Sequence, residues 1–219
     1  MPIEILFRRE FYDVPRCFVV RHRDLQLFFE CVFNDDLDDY SAFYRVFELP
    51  NLPDEQLESG SWVNLSEAAI QFLGEVPVTS VKFDATQRQS IEAEVVDDLL
   101  HRREEVEAKV RAQLAQATPE LANALRAFLV KPYLQMRTWE YAARDSQAEI
   151  LPCWVIADLR SLSISVGFAY SAQAHGAYGN CWGLVFVNDK YFGMNDSWYR
   201  SLEQALIDCG YLKNMLEAN

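Results

Sequence analysis

The apolar positions fall into three regimes along the chain. From Cys17 to Leu49 the runs CFVVRHR, LQLFFECVF and YSAFYRVFEL are rich in Val, Phe and Tyr. They are parted by Arg23-Asp24 and by NDDLDD, both turn-forming strings, so this stretch predicts an antiparallel meander. Asn64 with Glu67 three residues later has the spacing of a capping box, which predicts a short helix over residues 65–72, and VTSVKF after Pro77 predicts one more strand. The second regime begins at Thr86 and Gln89, a further capping pair. Ile91, Val95, Leu99, Val106, Val110 and Leu114 then step by four or seven and keep to one face, while charged residues occupy the rest. That pattern predicts a long amphipathic helix ending near Ala117. Thr118-Pro119-Glu120 places a cap, a first-turn proline and a first-turn acid in the order that opens another helix, with Leu121, Leu125, Phe128 and Leu129 as its apolar face and Pro132 as its end.

In the third regime the period returns to two. YLQMRTWEYA, ILPCWVIADL, LSISVGFAYS and CWGLVFVND predict strands, and Asp196 or Ser197 is placed to cap a last helix lined by Trp198, Leu202, Ala205, Leu206 and Cys209 and closed by Gly210. The expected fold class is α+β. Two antiparallel β-rich units, an acidic one over 1–85 and another over 132–219 that carries a C-terminal helix, are joined by a helical hairpin over 86–131.

Composition sharpens this picture. Half of the 219 residues are apolar and 24% are charged, which suits a packed globular chain and not a disordered one. Lys and Arg number 20 against 33 Asp and Glu, a net charge of -13. The imbalance is local: residues 1–100 hold 8 basic and 20 acidic side chains, net -12, and residues 101–219 hold 12 and 13, net -1. Duplex DNA and anionic membranes are polyanions, so a surface of this sign disfavours direct nucleic-acid binding and membrane association. The opening string MPIEILFRREFYDVPR is interrupted by five charges before Val14 and has no signal-peptide h-region. With no apolar run near the roughly 18 residues of a spanning helix, a cytoplasmic location is expected. The five cysteines are odd in number and widely spaced, which predicts buried thiols and no disulfide framework.

Candidate chemistry is sparse. Gly179-Asn180-Cys181-Trp182-Gly183 resembles, over five residues, the sequence around the nucleophile of papain-type cysteine proteases. In that family the cysteine opens a helix and the histidine lies downstream, whereas here a strand pattern follows Cys181 and His22, His101 and His175 all precede it. A thiol-dependent hydrolase would therefore need His175 to fold back onto Cys181. The acidic turn Asn34, Asp35, Asp36, Asp38, Asp39 lacks the glycine and terminal acid of an EF-hand loop, and the three histidines belong to no zinc-spaced cluster. No metal or cofactor is expected. The same turn reads better as a negative prong for a basic protein partner, with Tyr178 as an aromatic anchor in the glycine-bracketed loop AHGAYGN.

The aromatic opening meander with its acidic turn, together with the ending WGLVFVNDKYFGMNDSWYRSLEQAL, resembles small acidic bacterial proteins of the toxin-immunity and defence type. The resemblance implies a non-enzymatic, protein-binding immunity or antitoxin role and assigns no residue. Three other readings are a hydrolase using Cys181 with His175, a nucleic-acid mimic, and a subunit of a larger complex. For the last of these the long helix would pack on a copy of itself through Ile91, Val95 and Leu99.

Overall fold

A computed structural model describes residues 2–11, 14–35, 38–60, 62, 65–141, 149–193, 195–210 and 212. The fold is mixed α+β, dominated by β-sheet and carrying four α-helices among the described residues. The chain divides into two compact units, residues 1–101 and 102–219, with the boundary inside the long helix. Because residue 101 is a histidine, the sequence charges assign -12 to the first unit and -1 to the second.

In the first unit β1 (Pro2–Phe11), β2 (Pro15–His22), β3 (Leu25–Glu30), β6 (Phe43–Leu49) and β7 (Gln71–Pro77) pair antiparallel in that order. Beyond β1 lie β9 (Ser90–Glu92) and then β8 (Lys82–Phe83). A separate two-stranded ribbon, β4 (Phe33–Asn34) with β5 (Asp39–Tyr40), interrupts the meander between β3 and β6. The runs FVV and LFF are apolar on successive positions because both faces of the central strands are buried. Val19, Phe28 and Phe47 oppose one another on one face and pack with Leu57, Trp62 and Leu65. Phe18 and Phe29 stack on the other face at 4.5 Å, with Tyr44 edge-on to both. Leu57 is supplied by α1 (Asp54–Ser59), whose first turn carries Asp54 and Glu55 where the helix dipole favours acids.

Arg23 and Asp24, which join β2 to β3, both have positive φ, 48° and 63°. This is the backbone of a two-residue hairpin turn whose twist matches the strands, and it favours Asn-Gly. Arg23 is kept useful by its bond to Asp97 at 2.9 Å, whereas glycine at position 24 would remove the Cβ strain. Asp24→Gly is therefore expected to raise stability by about 0.5–1 kcal/mol in a urea titration. A neutral or destabilising result would show that the aspartate side chain contributes something the turn geometry does not.

Three expectations are corrected here, and one strand is added for which none was stated. β1 was not foreseen, since its charges hide a strand whose Ile3 and Ile5 point inward. Residues 65–68 form a turn and residues 71–77 the strand β7, so no helix covers 65–72; the proposed cap, Asn64, lies outside the described residues. VTSVKF is a 3-10 turn at Val78–Ser80 followed by the short β8. Thr86 opens no helix: the Asp84 carboxylate accepts the Thr86 and Gln87 amides at 2.9 and 3.0 Å, folding the segment into a turn that delivers Ile91 to β9. The helix α2 spans Glu94–Gln116. Its stripe of Leu99, Val106, Val110 and Leu114 is buried, as are Ile91 and Leu99 from the self-association reading, while Val95 is half-buried.

The second unit holds the C-terminal part of α2, then α3 (Pro119–Arg126), β10 (Leu129–Trp139), β11 (Ile150–Asp158), β12 (Val166–Tyr170), β13 (Trp182–Phe186), β14 (Tyr191–Phe192), β15 (Ser197–Tyr199) and α4 (Leu202–Asp208). β10, β11, β12, β13 and β15 form an antiparallel sheet, and β14 adds to β10 in parallel. Pro132 does not end a helix: α3 stops at Arg126, and the proline sits in β10 where the pairing with β11 shifts register, the kind of irregularity at which a strand tolerates proline. α4 packs on β13 and β15 and begins later than expected, because residues 197–199 pair with β13. Ser201 is its cap, accepting the Gln204 amide at 3.2 Å. Gln113 of α2 accepts the Leu202 amide, and Glu203 accepts that of Thr118, which ties the three helical pieces of this unit together.

Candidate functional site

The predicted site residues fall in two places, one in each unit. In the first, Asp35, Asp38 and Asp39 are exposed on and beside the β4–β5 ribbon; Asp36 lies outside the described residues. Asp38 turns the chain with φ 50°, and the Asp39 carboxylate accepts the Tyr40 amide at 2.7 Å. Phe33 and Tyr40 face each other edge-to-face at 5.1 Å, and the Arg16 guanidinium covers the Tyr40 ring at 4.3 Å. The Cys31 thiol donates to the Ser41 carbonyl at 3.1 Å and fastens the base. Val32 and Phe33 nevertheless remain 41% and 43% exposed beside the acids. Among the described residues no group of His, Cys, Asp and Glu is arranged to hold a metal ion.

In the second unit, His175, Tyr178 and Cys181 belong to one loop, closed by a 3-10 turn over Ala174–Tyr178. The turn is held by its own amides, Gly176 to Gln173 and Gly179 to Gly176, and by Ser171, whose hydroxyl donates to Pro152 at 2.8 Å while accepting the Gln173 amide. Gly176 is required by contact, since a Cβ there would stand 2.0 Å from the Ser171 carbonyl oxygen. Tyr178 is 76% exposed.

Cys181 and His175 are directed to different neighbours. The thiol donates to the Gly176 carbonyl at 3.7 Å. The imidazole stacks on Trp198 at 5.6 Å and meets Trp139 and Tyr141 edge-on at 5.0 and 5.9 Å. Burial among these rings pushes the His175 pKa below its ordinary value, and its Nε2 has no hydrogen-bond partner among the described residues. An aromatic cage of this kind favours a neutral ring and positions it by packing.

Among the described residues of the unit, a different polar side chain is the most deeply buried. Arg137 on β10 is fully inaccessible and reaches Asp196, whose side chain is 1% exposed, at 3.5 Å. Its guanidinium also donates to the Phe186 carbonyl, the Gln135 side chain and the Tyr191 carbonyl at 2.9, 3.0 and 3.4 Å. Desolvation raises the Asp196 pKa to about 6, outweighing the opposing pull of Arg137 and of the Phe186 and Gly193 backbone. Beside the pair, Cys153 is sealed in the core, where burial lifts its thiol to about 11. Asp196 thus binds a buried cation and does not cap a helix. Trp198 lies on β15, over Gly183, and not on the last helix. Arg137 was missed because an isolated arginine in a strand pattern reads as an outward-facing position. The signal available was the run of apolar neighbours expected on both sides of an interior strand.

Next to the loop is a cleft of about 390 Å³ between the end of β10, the start of β11 and the 3-10 turn. Trp139, Glu149, Leu151, Gln173 and Tyr178 line it together with three alanines. None of the five cysteines forms a disulfide; Cys31, Cys153 and Cys209 are buried, while Cys17 and Cys181 are half-buried. No helix among the described residues is long and apolar enough to cross a membrane. No protein-family model, curated protein or solved structure matches the chain.

Proposed function

We propose that the protein is a non-enzymatic binding module of the cytoplasm that neutralises a basic protein partner, in the manner of an immunity protein or antitoxin. Its architecture in this reading is two β-rich units linked by the helical segment. The observation that supports it most is the β4–β5 ribbon, where the exposed side chains of Val32 and Phe33 adjoin Asp35, Asp38 and Asp39 in a unit of net charge -12. Apolar groups of this size contribute affinity once water is displaced, and the surrounding carboxylates accelerate encounter with a basic surface.

The test begins with the partner recovered by pulldown of the native protein, followed by association kinetics at low and physiological salt. Reversing the four aspartates at 35, 36, 38 and 39 to lysine should slow association by at least about tenfold at low salt, and Phe33→Ala should act mainly on dissociation. An unchanged on-rate in the charge-reversed protein would remove the ribbon from the binding surface.

A further inference from the structure

We propose that the cleft formed by Trp139, Glu149, Gln173 and Tyr178 is a recognition site for an alkylammonium group. This stands independently of the acidic ribbon, since it rests on another unit and other residues. The volume of about 390 Å³ lies within the range of small-ligand sites. Two aromatic side chains, Trp139 and the 76% exposed Tyr178, border it, together with one carboxylate, Glu149, and one amide, Gln173. No lysine or arginine is among the described residues lining it. Two aromatic side chains and a carboxylate beside leucine and alanine surface suit a cation with a hydrocarbon shell better than an anion or a neutral polar molecule.

The aromatic wall is also preorganised. Trp139 meets Tyr141 and His175 at 5.0 Å each, and the His175 ring is itself stacked on Trp198. Burial lowers the His175 pKa, which disfavours a positive charge on the ring packed behind the tryptophan. The wall is further fixed by the parallel pairing of Trp139 with Phe192. A group held in this way loses little entropy when a ligand arrives.

The experiment is an NMR titration of the full chain, following the Trp139 indole N–H, with choline, with its neutral isostere 3,3-dimethylbutan-1-ol, and with the lysine side chain as N-acetyl-lysine methylamide. Choline should shift the Trp139 signal saturably and bind at least about fivefold more tightly than the alcohol. Preference for choline over the lysine derivative would indicate a free quaternary ammonium compound as the natural source of the group, and the reverse preference a protein side chain; either result supports the site. Tyr178→Ala and Glu149→Gln change exposed residues and leave the fold intact, and each should weaken choline by about two- to fivefold. Equal binding of the alcohol, absence of any saturable shift, or wild-type affinity in both variants would each overturn the assignment.

Discussion

Replacing Arg137 with methionine is expected to lower the unfolding free energy of the second unit by about 3–5 kcal/mol, the cost of leaving a buried partner uncompensated. Arg137 has no exposed surface, and its loss strands the Asp196 carboxyl together with the carbonyls of Phe186 and Tyr191. Four of the five tryptophans, Trp139, Trp154, Trp182 and Trp198, lie in this unit, so fluorescence in a urea titration reports on it directly. Joint replacement, Arg137→Met with Asp196→Leu, should recover most of the loss, because apolar residues of similar volume pay no desolvation. A double variant as unstable as the single one would mean that the pair's hydrogen bonds to the chain, and not the trapped charge, dominate.

The sign of the pH dependence follows from the same pair. The Asp196 pKa is raised to about 6 from an ordinary 3.8, so the folded unit holds a proton more tightly than the unfolded chain does between those values. Stability from this group is lowest above about pH 6 and rises as pH falls towards 4, by up to about 3 kcal/mol. The unfolding midpoint of the wild type should therefore carry a contribution that increases on acidification, and Asp196→Asn should remove it. Asp97 works in the opposite sense. Its pKa is lowered by the His22 hydrogen bond, and its contribution is present above the unfolded value and lost as pH falls through the folded one.

In the first unit, Phe28→Ala should cost about 3–5 kcal/mol. Phe28 is inaccessible, lies at the centre of the face formed with Val19 and Phe47, and meets Trp62 edge-on at 5.9 Å. Truncation removes one partner from two aromatic pairs and leaves a void that neighbouring strands, paired on both sides, are poorly able to fill. Hydrogen exchange of the amides in β2, β3 and β6 measures this unit separately from the tryptophan-rich one. Protection unchanged from wild type would show that the core relaxes around the missing ring.

What the amino-acid pattern disclosed, and what it hid, have physical causes. The central strands β2, β3 and β6 were legible because burial on both faces demands apolar residues at successive positions. The stripe of α2 was legible because a single face is buried over six turns. β1 was hidden by its charges, and the Thr86 turn by a competing carboxylate at Asp84 that takes the amides a helix would have used. At the candidate sites the acidic ribbon could be placed from composition and turn chemistry. The cleft could not, since Trp139, Glu149 and Tyr178 come from three separated segments and meet only after β10, β11 and the 3-10 turn have assembled. The Arg137 pair was illegible for a similar reason: its partner lies 59 positions away.

The sheets also bear on how any partner can attach. Strand addition requires a row of unpaired N–H and C=O groups along an open border. At one side of the first unit that border is the two-residue β8, which includes Lys82, and at one side of the second it is the three-residue β15, covered in part by α4. Neither is long enough to template an incoming strand, and a lysine on so short a border discourages edge-to-edge aggregation. At these borders the chain is protected from polymerising with itself, and a partner engaging them would have to be recognised through side chains instead of by backbone pairing.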